Sequence, residues 1–223
     1  MARVAQQDHG GGGRGNHGHT SNIVDAEALC ARGRPNDTIA RVSLEDVKRR
    51  RVLELYSARA VDERIDALAA ELSRAVGAHE PLLVVIAEGA RRFASRLARG
   101  LEIRGLAPQQ LEVRAQRSHG TELREVVLED CDASVFHARD VIITDDIADE
   151  GRTLEAVSAL VRAGAPRSLR IAVLVSKPAR RRAVVALDHV GFEVGVGWVV
   201  GYGMDLDGAY RELDWLGVIE GTE

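Results

Sequence analysis

The chain has 223 residues, 45% of them hydrophobic and 29% charged, which fits one globular domain with a substantial core. Its net charge of -4 argues against binding of nucleic acid through bulk positive charge. No apolar run reaches the roughly 18 residues of a membrane span. The two cysteines, Cys30 and Cys131, form no CxxC or Cys/His cluster, which argues against a disulfide framework and favours a cytoplasmic location.

The N-terminal segment, residues 1–43, is predicted to be a disordered or weakly ordered extension. Residues 1–22 are rich in Gly and His and have no apolar periodicity. Gly10, Gly12 and Gly15 have the spacing of a dinucleotide-binding loop, but no strand precedes them and no helix follows. The folded domain is therefore predicted to span residues 44–223.

The first half of this domain alternates between helical and strand patterns. Apolar residues recur at helical spacing over residues 62–76, and a β-branched run follows Pro81, typical of a parallel strand buried on both faces. The predicted elements are a helix end and first strand over 47–55, a helix at 62–76, a strand at 82–87, a helix at 91–103, a strand at 111–115, a mobile loop at 116–123 and a returning strand at 125–128.

The second half continues the alternation. A buried strand is predicted at 141–144, a helix at 153–163, and a further buried strand at 169–175, with short strands at 184–186, 197–200 and 218–219. Strands that alternate with helices imply right-handed crossovers and a mainly parallel sheet. The predicted fold class is therefore α/β, a mainly parallel sheet flanked by helices.

Residues 141–153, VIITDDIADEGRT, are the most informative segment of the chain. An apolar strand leads to the adjacent carboxylates Asp145 and Asp146, then to a Gly-containing turn and an amphipathic stretch from Leu154. Ligands of open α/β sheets bind at this strand edge, and the N-terminus of the next helix offers free N–H groups to a phosphate. Two carboxylates suit ribose hydroxyls or Mg²⁺. The segment predicts a site for a sugar phosphate with a metal-bound anionic partner.

Other α/β families with acidic residues at strand ends fit the chain less well. The P-loop pattern GxxxxGK[ST] is absent, and a receiver domain would carry its acidic pair after the first strand. What remains specific is the order acid–acid–x–x–acid–x–Gly–x–Thr after an apolar strand.

This order resembles the type I phosphoribosyltransferases and, within them, the hypoxanthine-guanine phosphoribosyltransferases. Three further segments carry the likeness: LLVVIAEGARRFASRLARGL at 82–101, LVSKPARR at 174–181, and VGFEVGVGWVVGYGMDLDGAYRELDWLGVI at 190–219. The likeness covers residues 52–220 and implies a small C-terminal hood over the sheet. It also implies a homodimer or homotetramer.

The resemblance assigns the residues after the 141–144 strand to the sugar phosphate and to proton transfer. Asp145 and Asp146 would hold the ribose hydroxyls of phosphoribosyl pyrophosphate (PRPP), and Asp149 would take or share the N7 proton of the purine. The loop that wraps the 5′-phosphate would be formed by Glu150, Gly151, Arg152 and Thr153. Its glycine permits close backbone approach, and its arginine and threonine add donors.

The other matching segments are assigned to the base, the pyrophosphate and the metal. Lys177 would read the purine 6-oxo group, since an ammonium only donates hydrogen bonds. The remaining matches are Trp198 for base stacking, Val199 for the base edge, Glu88, Gly89 and Arg211 for pyrophosphate, Asp205 with Asp145 and Asp146 for Mg²⁺, and Ser118 and His119 for a mobile loop that excludes water.

Three residues depart from the family pattern. Glu88 stands where many relatives have lysine, and Glu150 where threonine is common. Either carboxylate would repel a phosphate unless its side chain points away, Glu150 being able to pair with Arg152. His119 replaces a tyrosine. These three changes affect the expected PRPP affinity and catalytic rate more than the expected fold or ligand class.

The function implied by the resemblance is purine salvage: transfer of 5-phosphoribose from PRPP to N9 of hypoxanthine or guanine, with Mg²⁺ as cofactor. Two alternatives stay open. One is an enzyme of the same fold that acts on xanthine or another base. The other is a non-catalytic PRPP- or nucleotide-binding regulator. No nucleic acid or membrane partner is expected, and the sequence does not rank hypoxanthine against guanine.

Overall fold

The computed structural model describes residues 50–77, 80–117, 124–127, 132–195 and 197–222. The predicted N-terminal extension, residues 1–43, and the loop residues Ser118 and His119 lie outside these ranges. The described helices are α1 Ala58–Ala75, α2 Ala90–Ile103 and α3 Arg152–Ala163. The described strands are β1 Val52–Tyr56, β2 Leu82–Ile86, β3 Gln109–Arg117, β4 Arg124–Val127, β5 Asp140–Ala148, β6 Ser168–Ser176, β7 His189–Glu193, β8 Trp198–Val200 and β9 Leu216–Ile219.

The main sheet has the strand order β4-β3-β2-β5-β6-β7. The five strands β3, β2, β5, β6 and β7 are parallel to one another, and the edge strand β4 pairs with β3 in the antiparallel sense. The prediction of a mainly parallel α/β sheet flanked by helices is confirmed. The carboxyl ends of β2, β5 and β6 lie side by side, which brings the segments that follow them to one edge.

The central strands β2, β5 and β6 each contain a continuous apolar run, because helices cover both faces of the sheet. Leu83 of β2 and Ile142 of β5 pack into the same core as α1 and α2. Their neighbours Val84 and Ile143 point the other way, into the core that α3 covers. Successive side chains of a strand point to opposite faces of the sheet, so the residues of a continuous apolar run are buried in both cores.

Helix α1 begins one turn earlier than predicted, because Ser57 acts as its N-cap. The Ser57 hydroxyl accepts a hydrogen bond from the Ala60 N–H at 3.3 Å. The buried face of the helix consists of Val61, Ile65, Leu68, Ala69 and Leu72. This stripe has the helical spacing that the sequence shows.

The C-terminal hood is a separate antiparallel sheet of strand order β1-β9-β8. Its central strand, β9, pairs with β8 from the same C-terminal region and with β1 from the beginning of the described chain. The resemblance implied a C-terminal hood, and the structure adds that β1 forms one edge of it.

Three details of the strand prediction are wrong. The predicted strand at 184–186 does not form, and Val184 is 96% exposed. The edge strand is β7, which is half-buried and contains His189 and Gly191, so it lacks an apolar run. Strand β5 continues to Ala148, four residues beyond its predicted end, so the acidic pair lies inside the strand.

In the part of the chain that the structure describes, no helix combines the length and the apolar character needed to cross a membrane.

Candidate active site

A cavity of about 640 Å³ lies at the carboxyl ends of β2, β5 and β6, beneath the hood. It brings together residues from the four segments that carry the family resemblance. Its lining includes Asp145, Asp146, Asp149, Glu150, Gly151, Thr153, Lys177, Trp198, Val199 and Asp205. Ala87, from the turn after β2, also lines the cavity.

The acidic pair lies on β5 where the strand enters the cavity. Asp145 is 7% exposed, and its Oδ1 accepts a hydrogen bond from the Asp146 N–H at 3.0 Å. Burial raises the pKa of the Asp146 carboxyl, against hydrogen bonds from Asp145 and from backbone N–H groups that act to lower it. A cation or ribose hydroxyls at this point would favour the ionised form.

The turn after β2 approaches the acidic pair closely. A Cβ atom on Gly89 would collide with the Asp146 carboxylate, so only glycine fits without a shift. Likewise, a Cβ atom on Gly203 of the hood would collide with the carbonyl oxygen of Gly89. The peptide bond between Ala87 and Glu88 is cis.

The loop from Asp149 to Gly151 delivers the N-terminus of α3 to the cavity. Gly151 has φ +83°, a left-handed conformation that side chains rarely adopt, and its carbonyl accepts the first helical bond from Glu155 N. The Glu150 carboxylate pairs with Arg152 at 3.3 Å, as expected, and with Arg182 at 3.4 Å. Both arginines reduce its repulsion of an anion at the helix N-terminus.

Asp149 is held by the chain that follows β6. Its Oδ1 accepts a hydrogen bond from Arg180 Nε at 2.7 Å. The neighbouring Arg181 donates to the carbonyls of Ala148 and Asp149 at 3.0 and 3.1 Å, and to the Ser176 hydroxyl at 3.1 Å. The position of the proposed proton acceptor therefore depends on two arginines.

Lys177 is one of only two lysines in the chain and is 5% exposed. Its Nζ donates to the Gly197 carbonyl at 2.5 Å. Burial lowers the pKa of Lys177, and the Arg180 charge lowers it further, whereas Asp149 acts in the opposite direction. A buried ammonium with donors to spare can bind a carbonyl oxygen of a ligand.

The hood covers the cavity with Trp198 and Val199. The Trp198 side chain is half exposed and lines the cavity, while its indole N–H donates to the Asp205 carbonyl at 2.9 Å. Such a ring, fixed at one edge and open on a face, can stack on a planar base. Val199 is buried within β8.

Arg211 connects the hood to the turn after β2. One of its terminal nitrogens lies 2.9 Å from Asp205 Oδ1, and the other lies 3.2 Å from Glu88 Oε2. The Glu88 carboxylate is therefore turned towards an arginine. The structure brings together all the predicted site residues within its described ranges.

Comparisons with known proteins identify the family. Residues 51–207 match the model described as Phosphoribosyl transferase domain, which is more than half of the chain. The chain belongs to the phosphoribosyltransferase family.

Relatives of this phosphoribosyltransferase carry more specific names. The hypoxanthine-guanine phosphoribosyltransferase of Mycobacterium tuberculosis is 34% identical over 172 residues, which cover 71% of this chain and 83% of that protein. The enzyme of the same name from Bacillus subtilis is 33% identical over 167 residues, with coverage of 74% and 92%. A solved hypoxanthine phosphoribosyltransferase from Staphylococcus aureus is 25% identical, with a TM-score of 0.68 and coverage of 75% and 91%. The family resemblance predicted from the motifs is confirmed.

Sequence reasoning missed Arg180 and Arg181 of this phosphoribosyltransferase. The available signal was the run of three arginines that begins two residues after Pro178. A short 3-10 helix, Pro178–Arg180, turns this run back towards the loop after β5. The contacts join residues 31 or more positions apart, and local sequence does not specify them.

Proposed function

We propose that the protein transfers the 5-phosphoribosyl group of PRPP to N9 of hypoxanthine or guanine, giving IMP or GMP and pyrophosphate. The observation that carries this proposal is one cavity that holds a buried lysine, a carboxylate beside it and an acidic pair near a helix N-terminus. Relatives named hypoxanthine-guanine phosphoribosyltransferase at 33–34% identity support the same activity.

The sugar phosphate would bind at the β5–α3 junction. Backbone N–H groups at the start of α3, with the Thr153 hydroxyl, would hold the 5′-phosphate. The carboxylates of Asp145 and Asp146 would accept hydrogen bonds from the ribose hydroxyls. They also lie where positive charge develops on the ribose, if the transition state resembles an oxocarbenium ion.

The purine would lie between Trp198 and the residues that follow β5 and β6. The Lys177 ammonium would donate a hydrogen bond to the 6-oxo oxygen. A 6-amino group is itself a donor and could not accept this hydrogen bond. Asp149 would receive the N7 proton as N9 forms its bond to the ribose. Val199 would meet the base edge through its backbone.

Pyrophosphate would leave between Arg211 and the backbone of Glu88 and Gly89. Carboxylates supply the hard oxygen ligands that Mg²⁺ prefers, and Asp145, Asp146 and Asp205 would hold the ion. The described residues contain no cluster of three metal-binding side chains, but Mg²⁺ commonly takes one or two carboxylates with substrate oxygens. The ion would supply neutralisation of charge on the departing pyrophosphate.

Ser118 and His119 remain expected members of a loop that closes and excludes water, since hydrolysis of PRPP is the competing reaction. A preference for xanthine and a regulator without turnover also remain alternatives to be tested. The arginine partners of Glu88 and Glu150 weaken the argument for a non-catalytic protein.

Product nucleotides provide a direct test of the proposed site. At about 100-fold excess over its Kd, IMP or GMP should stabilise the protein by about 2.7 kcal/mol. For a chain of this size that corresponds to a rise in Tm of about 5–10 °C. AMP should give a much smaller rise because its 6-amino group opposes Lys177. Equal stabilisation by AMP and IMP would contradict the role of Lys177.

A further inference from the structure

The guanidinium of Arg211 bridges two carboxylates from different parts of the fold. Asp205 belongs to the hood, and Glu88 belongs to the turn between β2 and α2. The Asp205 carboxylate is also fixed by a hydrogen bond from the Gly208 N–H at 2.7 Å. Among the described residues, the Glu88 carboxylate forms a hydrogen bond with Arg211, and it also interacts electrostatically with Arg91.

The Glu88 contact is the weaker of the two. The Glu88 side chain is 58% exposed, against 26% for Asp205. Its carboxylate lies 3.2 Å from Arg211, whereas that of Asp205 lies 2.9 Å away. Exposed ion pairs of this kind contribute only about 1.4- to 5-fold to an equilibrium constant, because water screens the charges and two long side chains lose freedom. Arg211 can therefore exchange Glu88 for another anion at small cost while it keeps Asp205.

The hood and the turn after β2 are held together without this ion pair. Arg92 of α2 pairs with the Asp214 carboxylate and donates to the Leu213 carbonyl at 3.0 Å. Its guanidinium also lies over the Tyr202 ring, 4.5 Å from the centroid. Because these contacts fix the frame, loss of the Glu88 carboxylate should leave the position of Arg211 on the hood unchanged.

We propose that Glu88 is an internal anion that occupies Arg211 until the pyrophosphate group of a ligand displaces it. This inference rests on the proposed function, in which the same arginine faces pyrophosphate. A ligand that must displace Glu88 binds more weakly by the free energy of the lost ion pair. The same displacement favours release of the pyrophosphate product, because Glu88 returns to Arg211 as the product leaves.

Calorimetric titration with pyrophosphate in the presence of Mg²⁺ tests the proposal on the full-length chain. Glu88→Gln should lower the Kd for pyrophosphate about 1.4- to 5-fold, the range that an exposed ion pair supports. Glu63→Gln is the matched control, because Glu63 forms an exposed ion pair with Arg59 within α1 and has no described contact with Glu88 or Arg211. It should leave the Kd unchanged.

The Arg211→Gln background separates exchange at Arg211 from plain repulsion between Glu88 and pyrophosphate. If Glu88 acts by occupying the arginine, its substitution should have no effect on the Kd once the arginine is absent. A Glu88→Gln effect of the same size in both backgrounds would overturn the proposal, as would an unchanged or weaker affinity in the single variant.

Turnover of the unaltered protein distinguishes failure of this inference from failure of the proposed function. If the protein converts PRPP and a 6-oxopurine to nucleotide but Glu88→Gln does not tighten pyrophosphate binding, only the inference is wrong. If the protein neither turns over nor binds PRPP or pyrophosphate, both are wrong.

Discussion

Asp149 is the residue on which the proposed proton transfer depends. Asp149→Asn should lower kcat by roughly 10²–10⁴-fold, the loss typical of a removed general base, because the amide cannot take the N7 proton. The amide oxygen can still accept the hydrogen bond from Arg180, so the fold and the loop should be retained. Steady-state kinetics with PRPP and hypoxanthine measure the change.

The matched control for that substitution is Asp207→Asn. Asp207 is exposed on the hood and has φ +50°, a conformation that asparagine adopts readily. Its kcat should equal that of the unaltered protein. Unchanged kcat in Asp149→Asn would remove Asp149 from its proposed role.

Because the pKa of Lys177 is lowered, base binding should depend on pH. Burial lowers its pKa from the ordinary 10.5, so the ammonium loses its proton at a lower pH than an exposed lysine does. Since only the charged form donates fully to the 6-oxo group, KM for hypoxanthine should rise with pH above that lowered pKa, by up to about tenfold per unit. KM for PRPP should change less.

The comparison variant is Lys177→Arg, because a guanidinium stays charged over this range. Ionisation of hypoxanthine itself affects both proteins equally, so the difference between their profiles isolates Lys177. Identical alkaline profiles for the two proteins would contradict the prediction.

At the scale of elements, the contact between α1 and α2 depends on Gly100. A Cβ atom at this position would lie 2.6 Å from the Ala69 Cβ, and both positions are on rigid helices. Gly100→Ala gains about 1 kcal/mol of helix propensity, but overpacking of a core costs roughly 1–3 kcal/mol. The variant should therefore have an equal or lower free energy of unfolding, as measured by urea denaturation.

The control is Gly195→Ala, since a Cβ at that exposed position would meet nothing within 4 Å. Its free energy of unfolding should change by less than about 0.5 kcal/mol. A clear gain in stability for Gly100→Ala would show that the two helices can separate to admit a methyl group.

Elements defined by their own residues could be predicted from the sequence, whereas those defined by distant partners could not. The buried strands β2, β5 and β6 have apolar runs, and the helices have a periodic stripe. Strand β7 lacks a run because it lies at the sheet edge, and its Val190 and Gly191 carbonyls accept hydrogen bonds from Arg64 of α1. Strand β1 joins β9 across more than 150 residues.

At the scale of the whole molecule, the sheet topology explains which parts of the site were predictable. Asp145 and Asp146 lie at the end of β5, and Asp149 and Gly151 follow it directly, so their order in the sequence indicates a shared site. The hydrogen bond from Arg180 to Asp149 arises only after β5 and β6 pair side by side. The homo-oligomeric state expected from the resemblance likewise depends on contacts outside one chain and remains a prediction.

The central claim is that this cavity transfers phosphoribose to a 6-oxopurine. The most direct measurement is a coupled assay of the purified protein with PRPP and Mg²⁺ and, separately, hypoxanthine, guanine, xanthine and adenine. Nucleotide and pyrophosphate should form with hypoxanthine or guanine and not with adenine. Tight binding of PRPP or nucleotide without turnover of any base would contradict the account and indicate a regulator, and turnover of adenine would contradict the role of Lys177.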